Sequence, residues 1–128
     1  MKLRLGLTIA LLGIGALAGC QNKPTPPQSS ASALDVMEKV AVSANRCWFK
    51  SGDAAFKPYE LSPELSSFSD QPRILLVRKG SADIRPVLVV QASGKPPKLS
   101  AFGPMMGEPL SGRVSKDVQR WAAGDGGC

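Results

Sequence analysis

Two short apolar runs decide the fold: residues 74–77 read ILLV and residues 87–90 read VLVV. Both are rich in aliphatic and β-branched side chains, which favour strands. Residues 79–83 (KGSAD) lie between them and supply the glycine and small polar residues of a hairpin connection. The runs therefore predict paired antiparallel strands. Neither run alternates apolar with polar residues, so we expect both faces of these strands to be covered.

A helix is predicted before this hairpin, beginning at residue 34 and ending near Asn45. Ser32 and Asp35 have the spacing of a capping box, in which each side chain satisfies a backbone N–H of the first turn. Apolar side chains then recur at helical intervals and form one stripe. The stripe consists of Leu34, Met37, Val40, Ala41 and Ala44.

Shorter segments complete the predicted sheet and add a second helix. Residues 47–49 (CWF) predict a short strand, residues 56–61 a weaker strand that Pro58 places at an edge, and residues 99–102 a further strand. Residues 113–123 predict a C-terminal helix with one apolar face, formed by Val114, Val118, Trp121 and Ala122. The predicted fold class is α+β: an antiparallel sheet of four to five strands flanked by an N-terminal and a C-terminal helix.

Residues 1–20, MKLRLGLTIALLGIGALAGC, have the layout of a secretory signal peptide. Lys2 and Arg4 give a positive start, and an apolar run at residues 5–17 precedes small residues and a cysteine. This run is shorter than the ~20 residues that span a bilayer, which argues against a transmembrane anchor.

The tetrapeptide Leu17-Ala18-Gly19-Cys20 resembles the lipobox of bacterial lipoproteins. The resemblance implies that residues 1–19 are removed, that Cys20 carries a thioether-linked diacylglycerol, and that its new amine is commonly acylated, for instance by palmitate. Gln21 follows the cysteine, and this resembles the sorting pattern of enterobacterial outer-membrane lipoproteins. The inner membrane and the cell surface are the alternative locations, and a secreted or inner-membrane-tethered protein is the alternative class. No family resemblance extends to residues 34–128.

Residues 20–33 are predicted to form the lipidated cysteine and a flexible tether. Residues 21–33 (QNKPTPPQSSASA) contain three prolines, three serines and no large apolar side chain, so they cannot bury enough surface to order themselves. Residues 34–128 are then a single α+β domain, which the resemblance places in the periplasm.

Three cysteines divide between lipid and disulfide on this interpretation. With Cys20 lipidated, Cys47 and Cys128 are an even pair in an oxidising compartment, which predicts one structural disulfide. A redox-active pair and an intermolecular bridge are the alternatives, although no C-x-x-C spacing is present.

Catalytic chemistry finds little support in the sequence. The chain has no histidine, which excludes Ser-His-Asp and Cys-His nucleophile systems and imidazole metal sites. Nothing brings Glu60, Glu64 or Asp70 to one cleft, and a Ser-Lys arrangement has no recognisable motif here, although four serines precede the hairpin: Ser62, Ser66, Ser67 and Ser69. The adjacent thioethers of Met105 and Met106 could bind Cu(I) but more often fill a core. We therefore predict no enzyme activity, catalytic residue, metal or cofactor.

The charge balance is basic, with 16 Lys+Arg against 10 Asp+Glu and a formal net charge of +6. Removing Lys2 and Arg4 with the signal leaves 14 basic residues and a formal charge of +4. A basic cluster surrounds the hairpin and could face anionic envelope polymers, although a solvated hairpin end is the simpler interpretation. The cluster is Arg73, Arg78, Lys79 and Arg85. The expected compartment excludes nucleic acid as a partner.

Partner binding is the function that this sequence favours. Two short helices sharing one sheet face would leave the other face to the loop at 104–112 or to a partner, and we predict a contact surface at Phe102, Met105 and Met106. The predicted function is a membrane-anchored envelope lipoprotein that serves as an accessory or assembly subunit. The alternative is a carrier or sensor lipoprotein for a small apolar ligand or lipid.

Overall fold

The structure, a computed structural model, describes residues 31–66 and 71–128. Residues 1–30, with the signal segment, Cys20 and most of the predicted tether, lie outside the described residues, as do Ser67, Ser69 and Asp70. The described elements are α1 (Ala33–Ala44), a π-helical segment (Asn45–Lys50), a 3₁₀ turn (Ala54–Phe56), β1 (Tyr59–Glu64), β2 (Arg73–Arg78), β3 (Leu88–Ser93), β4 (Lys98–Phe102), a second 3₁₀ turn (Pro104–Gly107) and α2 (Ser111–Ala122).

The four strands form one antiparallel sheet in the order β1-β2-β3-β4, so each strand pairs with its neighbours in sequence. The two apolar runs lie in the central strands β2 and β3, as predicted, and the α+β class with a helix at each end is confirmed. The sheet has four strands within the described part of the chain.

The predicted capping box at the start of α1 is present. The Ser32 hydroxyl accepts a hydrogen bond from the Asp35 backbone N–H at 3.1 Å, and the Asp35 carboxylate accepts one from the Ser32 N–H at 2.8 Å. These Ser32 bonds hold the pKa of Asp35 below its ordinary value. Met37, Val40 and Ala44 are fully buried, whereas Leu34 is 42% exposed and does not belong to the buried stripe.

The strand predicted at residues 47–49 is wrong, because this segment continues α1 as the π-helical segment. Helical continuation turns both Cys47 and Trp48 into the core, where Trp48 is fully buried. A strand would place these neighbours on opposite faces. Tertiary packing of one large aromatic therefore outweighs the local preference for extended backbone.

The first strand begins later than predicted. Phe56 lies in the 3₁₀ turn and is fully buried, whereas β1 runs from Tyr59 to Glu64. The strand is at an edge of the sheet, as Pro58 suggested, and it contains a proline of its own, Pro63. The strand predicted at residues 99–102 is confirmed as β4.

Both helices pack against the same face of the sheet. The strand residues on that covered face are fully buried: Ile74, Leu76, Leu88, Val90 and Ala92. We call the other face, which carries Leu75, Val77, Val89 and Phe102, the open face. The strands are shielded to different degrees on this face, since Val89 is 7% exposed whereas Phe102 is 47% exposed.

Candidate functional site

The structure separates the three residues of the predicted contact surface. Met105 is fully buried in the core, and its backbone N–H donates to the Val87 carbonyl at 2.9 Å. Met106 is half-buried and packs against the core on the helix side. Phe102 lies on the open face and is 47% exposed. Phe102 alone of the three thus presents a large apolar surface to solvent.

An apolar patch surrounds Phe102 on the open face. Cross-strand pairing aligns Leu75 with Val89 and Val89 with Phe102, while Val77 lies two residues from Leu75 on the same face. Val89 is only 7% exposed, and Leu75 and Val77 are half-buried. We call these four residues the apolar patch.

The loop joining β2 to β3 carries the most exposed large apolar side chain of the described chain, Ile84, at 83% exposure. Next to it, Arg85 forms a two-armed ion pair with Asp83 through bonds of 2.9 and 2.8 Å. The Arg85 bonds lower the pKa of Asp83 to about 2. Ile84 was not among the residues predicted from the sequence to make contacts. A lone isoleucine between Asp83 and Arg85 in a turn-rich loop does, however, indicate an exposed apolar side chain.

The basic cluster predicted around the hairpin is divided between two sites. Arg73 pairs with Glu64 across β1 and β2 at 2.6 Å, which neutralises both charges on the open face. Arg78 lies 6.0 Å from the centre of the Tyr59 ring, and Lys79 is exposed in the loop. Because Asp83 neutralises Arg85, the positive charge of the loop that carries Ile84 comes from Lys79.

The apolar patch and the start of α1 lie toward opposite ends of the sheet. Ser32 and Ala33 line a groove of about 420 Å³ together with Pro72, Gly94 and Lys95, which lie where β2 begins and the β3–β4 turn runs. Ile84 belongs to the connection at the other end of the central strands. Any segment preceding α1 therefore joins the domain far from Ile84.

A second cluster, inside the molecule, is built around Trp48. Its ring stacks on Phe56 with centroids 4.5 Å apart and meets Trp121 at 5.0 Å. The Trp48 indole N–H donates to the Asp117 carboxylate at 2.9 Å, and this carboxylate also pairs with Arg120 at 3.1 Å. Asp117 is 8% exposed and lies on the buried face of α2. The sequence did not reveal this position, because a charged residue does not belong to the apolar stripe that predicts the buried face.

Arg113 connects this interior cluster to the surface. Its guanidinium pairs with Asp53 and lies 5.2 Å from the centre of the Phe56 ring. Hydrogen bonds from Arg113 and from the Ala55 backbone N–H lower the pKa of Asp53, and the bond to Asp53 raises the pKa of Arg113. The arrangement is a packed structural network rather than an open cleft.

The cysteine pair closes the same region. The Sγ atoms of Cys47 and Cys128 lie 2.02 Å apart with the Cα atoms at 5.3 Å, which is disulfide distance and agrees with the predicted pairing. The tail before Cys128 is also held by hydrogen bonds, since the Trp121 indole N–H donates to the Gly127 carbonyl at 2.9 Å and Arg46 donates to the Gly126 carbonyl.

The described candidates for chemistry do not meet in one site. Glu60 is exposed on β1, and Glu64 is paired with Arg73. Ser62 and Ser66 are exposed, and no group of three or more His, Cys, Asp or Glu within residues 31–66 and 71–128 could hold a metal ion. None of the described helices is long and apolar enough to cross a membrane.

Two further grooves open at the surface. One, of about 310 Å³ and mainly apolar, lies between α1 and the chain after α2, and its lining includes Val42 and Trp121. The other, of about 150 Å³, runs between β4 and α2 and is lined by Leu99, Ala101, Met106 and Val118 among others.

Comparison with known proteins adds no family to this description. The chain matches no protein-family model, and no curated protein or solved structure shows significant similarity to it.

Proposed function

We propose that this chain is a membrane-anchored envelope lipoprotein of non-enzymatic type, which acts through protein contacts as an accessory or assembly subunit. Its lipobox, residues 17–20, supports a lipid anchor on Cys20, and Gln21 supports the outer membrane with the domain facing the periplasm. The close pair Cys47 and Cys128 agrees with an oxidising compartment.

The observation that carries the contact role is the apolar patch with Ile84 beyond it. Ile84 is 83% exposed and Phe102 is 47% exposed. Full burial of such a side chain contributes about 1.5–3 kcal/mol, so a partner that covers both gains most of this amount at Ile84 and about half of it at Phe102. Aromatic anchors of this kind dominate binding energies at interfaces. Lys79, exposed in the same loop as Ile84, adds a positive charge that favours a partner with an acidic rim.

The position of this surface suits an anchored protein. A tether of the predicted length spans ~20 Å as a coil and joins the domain at the end of the sheet opposite Ile84. Two or three acyl chains on Cys20 give stable anchoring, because each buried methylene contributes ~0.8 kcal/mol and one chain alone is reversible. The apolar patch and Ile84 are therefore free to meet a partner while the anchor stays in the bilayer.

Site-specific photocrosslinking of the full chain in its native membranes tests the contact role. A photoreactive residue at Phe102 or at Ile84 is expected to give one discrete adduct. Its mass should differ from twice the mass of the chain, which is the mass of a crosslinked dimer. The same residue at Lys116, exposed on α2, is the matched control and is expected to give none. Equal labelling at all three positions, or none at any, would contradict the proposed contact surface.

Lipid labelling tests the anchor separately. Cys20→Ser is expected to abolish incorporation of a labelled fatty acid and to release the chain from the membrane fraction. A Cys20→Ser chain that still sediments with membranes and still carries label would overturn the anchor without bearing on the contact surface.

One observation favours the alternative of a small-ligand carrier. The apolar groove beside Val42 has about 310 Å³, within the size range of small-molecule sites, and Trp121 in its lining reports on occupancy. A carrier would show saturable quenching of tryptophan fluorescence by an apolar probe such as a fatty acid, and Val42→Asp would weaken it at least tenfold. Quenching that Val42→Asp leaves unchanged would exclude this groove.

A further inference from the structure

The outer strand β4 presents unpaired backbone groups at Leu99 and Ala101. The Ala92 N–H donates to the Pro72 carbonyl on the β2 side, and residues of an antiparallel strand alternate between their two neighbours. Val89, Gln91 and Ser93 therefore bond to β4, where their partners are Phe102, Ser100 and Lys98. The N–H and C=O groups of Leu99 and Ala101 accordingly point away from the sheet, and none of them is hydrogen-bonded to another described residue.

This edge differs from the opposite edge of the sheet. β1 contains Pro63, which lacks an N–H and blunts an edge against further strands. β4 contains no proline, and a groove of about 150 Å³ runs along it on the helix side. Side chains of an added strand would enter this groove beside Ala101, Met106 and Val118.

We propose that a second copy of this chain adds to β4, antiparallel and related by a two-fold axis at Ser100. The outward-facing residues then pair Leu99 of one copy with Ala101 of the other, twice, and complete four backbone hydrogen bonds. The sheet continues through both copies. This contact touches the apolar patch only at Phe102, and its backbone pairing does not require the lipid anchor.

The side chains of β4 are complementary to themselves in this register. Lys98 meets Phe102 of the second copy on the open face, so the two Lys98 ammonium groups do not face each other. A lysine beside an aromatic ring gains a cation–π contact, and Phe102 loses part of its 47% exposure. On the helix side, the larger Leu99 lies beside the smaller Ala101, which leaves room for the leucine in the groove.

The small area of the contact limits its strength. The edge of five residues is about 17 Å long, and the sheet with α2 is roughly 20 Å deep. The contact therefore covers about 340 Å² on each copy, or about 700 Å² in total. Stable complexes bury about 1,200–2,000 Å², so association is weak in dilute solution and grows with local concentration. Attachment of both copies to one membrane would supply that concentration.

Cysteine crosslinking tests the axis directly. Ser100 would face itself in a non-hydrogen-bonded pair with Cα atoms about 4.5 Å apart, a separation that a disulfide spans. In the full chain at about 0.1 mM in detergent, Ser100→Cys is expected to form linked dimer at least tenfold faster than Ser62→Cys. Ser62 is the matched control, since it is an exposed serine on the open face of the other edge strand.

Ala101→Pro supplies the second arm. Proline removes an N–H that points away from β3, so the β3–β4 pairing is kept, and crosslinking through Ser100→Cys is expected to fall at least fivefold. Near-ultraviolet circular dichroism of Trp48 and Trp121 checks that the variant folds. Sedimentation of the unmodified chain up to about 1 mM is the independent measurement. A monomer throughout, equal crosslinking at positions 62 and 100, or insensitivity to Ala101→Pro in a folded variant would each overturn the proposal.

Discussion

The bond between Trp48 and Asp117 shows how one buried polar residue fixes the position of a large aromatic side chain. Trp48 is fully buried and has one polar atom, its indole N–H, which donates to Asp117 at 2.9 Å. Arg120 and Arg113 compensate the carboxylate, at 3.1 and 3.6 Å. A buried charge is tolerated only when it is paired, so these groups depend on one another.

We expect Asp117→Ala to lower the free energy of unfolding by about 2–3 kcal/mol, because it leaves the Trp48 N–H and the Arg120 guanidinium without their acceptor. Asp117→Asn keeps an acceptor for the indole N–H and should lower the free energy of unfolding by less. Urea unfolding followed by tryptophan fluorescence measures both. Asp83→Ala removes an exposed ion pair and is the control; a loss at Asp83 equal to that at Asp117 would contradict this account.

At the scale of elements, the connection from β4 to the second 3₁₀ turn depends on Gly103. Its φ is +122°, a conformation that L residues rarely adopt, and a Cβ at this position would lie 2.6 Å from the Val87 carbonyl oxygen. The close approach lets Met105 donate to the same carbonyl at 2.9 Å and enter the core.

Gly103→Ala is therefore expected to cost about 2 kcal/mol or more in unfolding free energy, through backbone strain and the clash with Val87. Gly107→Ala, four residues later, has an ordinary φ and no atom within 4 Å of its new Cβ, so it should be close to neutral. Thermal unfolding of the two variants makes the comparison. Similar melting temperatures for both would contradict the role assigned to Gly103.

The elements that sequence predicted well are those with a strong local signal. The runs in β2 and β3, the capping box at Ser32 and the stripe of α2 are visible in the sequence alone, and all are present. The segment after α1 was misassigned because CWF has strand propensity, and only contacts distant in sequence, Trp48 with Phe56 and Trp121, favour the helical form.

The candidate site was predicted less well for a related reason. Phe102 was identified from its strand, but Met105 and Met106 were assigned to the same surface because proximity in sequence does not reveal where a chain turns. The positive φ of Gly103 redirects the backbone, and Met105 enters the core instead. The packing of both helices on one face of the sheet is a property of the whole layer arrangement, which local periodicity does not contain.

For the whole molecule, the pH dependence of stability follows from its carboxylates and its lack of histidine. The folded-state pKa values of Asp35, Asp53 and Asp83 lie below the ordinary 3.8, that of Asp83 at about 2. Groups with a lowered pKa stabilise the fold above their unfolded pKa, and this contribution is lost as the pH falls through the folded value.

The free energy of unfolding should thus be level between about pH 5 and 8, where histidine would otherwise titrate, and decline as the pH falls from about 4 toward 2. Asp35 and Asp83 are exposed and Asp53 is half-buried, so solvent screens these pairs and the decline is expected to be shallow. Urea unfolding midpoints at pH 3, 5, 7 and 8 measure this decline. Asp53→Asn should make the loss of stability between pH 5 and 3 smaller. A step between pH 5 and 8 would contradict the prediction.

The Cys47–Cys128 pair constrains nearly the whole domain, because it joins residues 81 positions apart. Cys128→Ser is expected to lower the free energy of unfolding by about 2–5 kcal/mol, since the loop it opens is long. Adding Cys47→Ser to this variant should change it little further, because both remove one bond. Oxidised and reduced chains compared in urea give the same difference. If the free energy of unfolding of the double variant lay well below that of either single variant, the two thiols would act separately rather than through one bond.

The disulfide also determines how the domain transmits mechanical load. A pull between Ala31, at the start of the described chain, and a partner held at Ile84 reaches Cys47 through α1 and then divides. One covalent route runs forward through residues 47–84, and the other crosses the disulfide and returns through residues 84–128. Tension is shared between β1 and β2 on one route and α2, β4 and β3 on the other. Reduction would leave the first route alone to bear the force.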